Sequence, residues 1–108
     1  MTSKTFEQVI RLIERGDVKV SDHGYDELTA DALSARDAVV SVREGTVAED
    51  YPDYPKGPCV LVLQEDRQGK PIHVVWGIPK GKSSPAVLVT AYRPDPARWE
   101  PDLLRRKK

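Results

Sequence analysis

The chain has 108 residues, with 17 Lys and Arg against 17 Asp and Glu and a formal net charge of zero. That length predicts one domain over residues 1–108 with an ordinary core, and no apolar run reaches the roughly 20 residues of a membrane span. The N-terminal MTSKTFEQV lacks the apolar core of a signal peptide and the single Cys59 excludes an internal disulfide, so the expectation is a cytoplasmic protein with no membrane partner.

Phe6, Val9, Ile10 and Ile13 follow the spacing of an amphipathic helix, with Ser3 or Thr5 to cap it and Gly16 to end it. VKV at 18–20 reads as an extended link. Ser21 caps a short helix over 22–29 with Tyr25 and Leu28 turned inward. Ser34 and Asp37 open a third helix whose stripe is Ala35, Ala38, Val39 and Val42, closed by Gly45. The period then changes. TVAEDY, CVLVLQE, PIHVVWGI and AVLVTAYR are short, β-branched stretches separated by turn-formers, and DRQGK at 66–70 fits a hairpin connection. PDYPKGP and PKGKSSP are proline-bounded loops, and RPDPARWEPDLLRRKK is a proline-rich start to a tail ending in basic residues. The predicted architecture is α+β: three N-terminal helices (residues 1–45) packed on one face of a four-stranded antiparallel sheet (46–93), then a basic tail (94–108).

Charge is uneven along this order. Residues 1–54 hold 6 Lys/Arg and 12 Asp/Glu, whereas residues 55–108 hold 11 and 5. The basic half suits a polyanion, and the two halves suit each other as solvated faces equally well.

His23 is placed where a helix starts, so the dipole keeps its ring neutral, as a base or as a partly buried cap neighbour. In PIHVVWGI, alternation puts Ile72, Val74, Trp76 and Ile78 toward the helices and His73, Val75 and Gly77 on the opposite, open face. His73 there is either reachable by a substrate or a cross-strand partner on a solvated face. Tyr92 and Arg93 end the last strand. Arg93 can clamp a phosphate or pair with a carboxylate, and its register leaves open which of the two shares a face with His73. Trp99 can stack on a base or anchor the tail. Lys80, Lys82 and Arg98 add positive charge without any phosphate-cradling motif. His23 and Glu27 share a helix face, but two ligands make no catalytic zinc site, and neither metal nor cofactor is expected. Cys59, inside an apolar run, is expected to be inert with a raised pKa.

S-x-H at 21–23, EGTVAEDYP, PIHVVW and AYRPDPARWEPD, in this order over about residues 5–106, resemble the domain of unknown function family 4258. That family is similar to RelE/ParE-type toxins, many of them metal-independent ribonucleases paired with an antitoxin, including the BrnT toxins. The resemblance implies a RelE/ParE-like fold and a small RNA-cleaving toxin or its descendant. His23, His73, Tyr92 and Arg93 take the positions of the helix-start histidine, the strand histidine and the last-strand pair. Glycine at 24 departs from the alanine often found in that family and weakens the helix. Two histidines, a phenol and a guanidinium are the parts that 2′-hydroxyl attack on RNA needs, with Lys80, Lys82, Arg98 and Trp99 to hold the strand. The expectation is therefore a toxin-type ribonuclease, with RNA as substrate and an antitoxin-like partner, monomeric or homodimeric. The alternative is a non-catalytic protein-binding module on the same fold.

Overall fold

The computed structural model describes residues 3–108. Helix α1 (Lys4–Glu14) starts at Ser3, whose hydroxyl accepts the Phe6 N–H at 3.1 Å. Strand β1 (Val18–Val20) follows, then α2 (Asp22–Ala30) and α3 (Ala35–Ser41), capped by Ser21 and Ser34, and a 3₁₀ turn over Val42–Glu44. Strands β2 (Thr46–Tyr51), β3 (Cys59–Glu65), β4 (Pro71–Gly77) and β5 (Ala86–Tyr92) complete the chain's regular structure.

The sheet has five strands in the order β1-β5-β4-β3-β2. Strands β2 to β5 form the antiparallel meander, but β1 pairs parallel to β5, Val18 opposite Ala86 and Val20 opposite Leu88. This corrects the four-stranded antiparallel sheet expected from the sequence, and the expected helices-first order with it, since β1 lies between α1 and α2. The physical reason is that a parallel pair needs no turn between its strands. VKV borrows its identity from β5, and the Asp17 carbonyl and Ser21 N–H extend that ladder to Ala86 and Leu88.

The helices cover one face. Val9, Leu12, Leu28, Ala38 and Val42 pack against Val60, Val62, Ile72, Val74, Trp76 and Leu88, all buried. The inward set of β4 is the one alternation predicts, Ile78 included. Tyr25 is not: it is 59% exposed, and Gly24 takes the inward position. A Cβ on Gly24 would stand 2.7 Å from the Leu88 carbonyl oxygen, so the missing side chain lets α2 lie directly on β5. The glycine that weakens the helix also seats it.

Two bulges steer side chains. Ala48 is the extra residue of β2, between the Val47–Val62 and Glu49–Leu61 pairs, and Val89 is the extra residue of β5, between Leu88–Trp76 and Thr90–Val75. Past the first bulge Glu49 and Tyr51 share the helix-free face with Leu61 and Cys59.

Candidate functional site

The four residues that the resemblance marks do not meet. His23 stands on exposed α2 in the helical layer, its Nε2 3.6 Å from Glu27 Oε1. His73 sits across the sheet, on the helix-free face as alternation predicts, yet it is fully buried rather than open. Tyr92 is its register partner and shares its face, with ring centroids 5.4 Å apart. Arg93 points elsewhere: its guanidinium donates to Asp66 Oδ2 at 2.7 Å and to the Pro71 carbonyl at 3.2 Å, and its N–H donates to Asp31 at 2.9 Å. It holds the β3–β4 turn against the end of α2. Only His73 and Tyr92 are brought together.

What buries His73 is the tail. Residues 94–108 fold back over the tail-proximal end of the sheet, joined to themselves by the Trp99–Arg106 bridge. Trp99 is 4% exposed, so of its two expected uses the structure has it anchoring the tail, and it meets His73 edge-on at 4.4 Å. The Leu103 carbonyl lies 2.7 Å from His73 Nε2. A carbonyl only accepts, so the proton sits on Nε2, and Nδ1 is left bare, buried and without a partner among the described residues. Burial holds the ring below its ordinary pKa of 6.5, outweighing the Leu103 hydrogen bond that favours the charged form. The imidazole is neutral and sealed.

Beside the tail the same face stays open. A groove of about 500 Å³ crosses β2 to β5, bounded at one end by the loops carrying Tyr54, Lys56 and Pro79 and at the other by Arg106. Leu61, Val75, Val87 and Val89 make an apolar floor. Gly77 deepens it: a Cβ there would approach Val89 Cγ2 at 3.3 Å and take up space in the groove. The volume lies within the range of ordinary ligand pockets. Tyr51 and Tyr54, at 44% and 50% exposure, flank the mouth with Tyr92 further in.

The charged rim is Glu49, Lys56 and Arg106, one anion against two cations. Arg106 grips Glu49 with two donors, at 2.7 and 3.1 Å, and Tyr51 donates a third hydrogen bond at 2.8 Å. The Arg106 hydrogen bond holds the Glu49 carboxyl below its ordinary value, and Glu49 in turn raises the Tyr51 phenol. Burial raises Tyr92 and Cys59, the latter half-buried at the groove edge, in the direction the sequence implies for that thiol. Lys80 and Lys82 are exposed on the loop beside the groove, where the Lys80 N–H bonds the Lys56 carbonyl at 3.2 Å. Arg98 is exposed on the tail with Asp95 3.9 Å away. Among the described residues no cluster of three or more His, Cys, Asp or Glu is placed to hold a metal ion.

Residues 20–93 match the family described as Domain of unknown function (DUF4258). The chain belongs to that family. No curated protein matches it, and no solved structure does. The matched span of the DUF4258 chain begins at Val20, the last residue of β1, and contains β2 to β5, hence the groove floor, together with His23, His73, Tyr92 and Arg93. It excludes the tail, and with it Trp99, Leu103 and Arg106. Sequence reasoning missed Glu49, Tyr51, Tyr54, Lys56 and Arg106. The two exposed tyrosines among polar neighbours, in EDYPDYPK, were the available signal. Among the described residues no helix is long and apolar enough to cross a membrane.

Proposed function

We propose that this domain binds single-stranded RNA in the groove on the helix-free face of its sheet, as a non-cleaving relative of the RelE/ParE-type toxin superfamily. The observation that carries the reading is the pairing of exposed Tyr51 and Tyr54 with a net-positive rim over an apolar floor. Bases stack on phenol rings and on aliphatic surface, Lys56 lines the groove, and exposed Lys80 and Lys82 stand on the adjoining loop where a phosphate backbone would run. Kinship with the toxins rests on the ordered motifs around His23, His73 and Tyr92. Cleavage is left out because His23 lies in the helical layer, His73 is sealed, and Glu49 already accepts three hydrogen bonds that hold it ionised and weaken it as a base. The apolar floor favours a second reading, a protein segment such as an antitoxin-like partner in the same groove.

The test is fluorescence anisotropy of a labelled single-stranded RNA, without divalent metal, across a salt series. Tyr51→Ala is expected to weaken binding roughly 5- to 100-fold, one lost base stack. Lys56→Ala is expected to weaken it and flatten the salt slope. RNA affinity unchanged in both variants refutes the groove as the site. RNA cut by the wild-type chain and spared by His73→Gln refutes the non-cleaving part.

A further inference from the structure

The tail is a separate piece of structure laid on the sheet. Its backbone hydrogen bonds run inside itself, Glu100 to Arg105, Leu103 to Glu100 and Lys107 to Arg98, and none of its described backbone–backbone bonds reaches a strand. Three side-chain contacts fasten it: the Trp99 indole against His73, the Leu103 carbonyl on His73 Nε2, and Arg106 on Glu49. Leu103 supplies its carbonyl from a left-handed backbone, φ 59°, a conformation that costs a non-glycine residue of order 1 kcal/mol or more. The tail also lies outside the family's matched span, whereas the surface it covers lies inside it.

The indole occupies a berth with the requirements of a purine. It is a flat bicyclic ring, 4% exposed, with the His73 ring at its side, while the Arg106 guanidinium 4.7 Å over its face is part of the tail and leaves with it. The sheet contributes His73 and Tyr92, two aromatic rings side by side, continuous with the groove through Tyr92. His73 Nδ1 is a buried acceptor that none of the described residues satisfies. The exocyclic amine of adenine is a donor that could use such an acceptor.

We propose that the Trp99 berth is a purine-base site closed by the chain's own indole. When residues 94–108 lift as a unit, His73 and Tyr92 are uncovered and the groove lengthens to take one more base. The inference rests on the RNA reading for its biological ligand, but the berth can be tested without it.

The experiment uses full-length chains, wild type, Trp99→Ala and Arg106→Ala, each checked for its fold by circular dichroism. His73 modification by diethyl pyrocarbonate is followed by mass spectrometry, with and without adenosine monophosphate. The expected result is a His73 protected in the wild type and modified at least tenfold faster in Trp99→Ala, with adenosine monophosphate restoring protection and uridine monophosphate doing so less. Arg106→Ala, which keeps the indole and loosens the tail, is expected to fall between. His73 as slow in both variants as in the wild type overturns the removable cover. Fast modification that adenosine monophosphate does not slow overturns the purine site. Protection by adenosine monophosphate in a chain that fails to bind the labelled RNA would sink the RNA reading and leave the berth standing.

Discussion

Gln64 ties the helical layer to the sheet, and removing it should be costly. Its side chain is buried on β3. Its Oε1 accepts the Trp76 indole N–H at 2.8 Å, and its Nε2 donates to the Ala38 carbonyl at 2.6 Å and to Ser41 Oγ at 2.9 Å. Ala38 lies near the end of α3, where carbonyls have no helical partner, so Gln64 closes that end. Gln64→Leu keeps the size of the side chain and strands two groups, the indole N–H of fully buried Trp76 and the Ala38 carbonyl. Each of the two stranded groups costs about 1–3 kcal/mol, and the added apolar burial returns about 1, for a net loss of about 1–5 kcal/mol. Ser41 loses less, because its hydroxyl still donates to the Asp37 carbonyl at 2.8 Å. Guanidinium unfolding followed by fluorescence and circular dichroism measures the loss. The double variant Gln64→Leu/Trp76→Phe removes the stranded donor, so it should cost less than the sum of the singles by about 1 kcal/mol. Additivity of the two substitutions, or a Gln64→Leu chain as stable as the wild type, would refute the shared buried hydrogen bond.

Acid should weaken the domain through His73. Its folded pKa lies below the ordinary 6.5, so between the two values the unfolded chain binds the extra proton and stability falls as pH drops through 6.5. The difference in unfolding free energy between wild type and His73→Gln should therefore shrink from pH 7.5 to 5.5, and growth of that difference would contradict a sealed, neutral ring. Cys59 offers a probe of the groove. Burial raises its thiol pKa above 9.0, so iodoacetamide at pH 8 should alkylate the folded chain several-fold more slowly than the denatured one, and RNA in the groove should slow it further. Equal rates folded and denatured would remove Cys59 from the groove wall.

Helix starts and the inward face of β4 were legible because they are local. Ser3, Ser21 and Ser34 all cap as their position relative to the apolar stripes implies, and Ile72, Val74 and Trp76 alternate as a half-buried strand must. What was not legible depends on distant pairing. VKV has an exposed lysine at its centre and no turn before its partner, so nothing near it announces a strand parallel to β5. Tyr25 was placed inward by helical period, but α2 approaches β5 so closely that only Gly24 fits the contact.

The candidate site shows the same division more sharply. Simple alternation from Val47 would send Glu49 to the helical side, where an ionised carboxylate has no place. The Ala48 bulge turns it to the groove, where Arg106 meets it. The proline-rich tail correctly reads as irregular, but irregular chain can still bury a histidine when it carries a tryptophan and a free carbonyl. The face of His73 is thus a property of β4, and its accessibility is a property of residues 94–108. Because the family match spans the first and not the second, membership in DUF4258 specifies the surface on which chemistry or binding could be built. Whether His73 reaches solvent is decided by a segment outside it, and relatives that share His73 and Tyr92 but end in different tails should differ first in exposure of that imidazole, a difference that the modification rate of His73 measures directly.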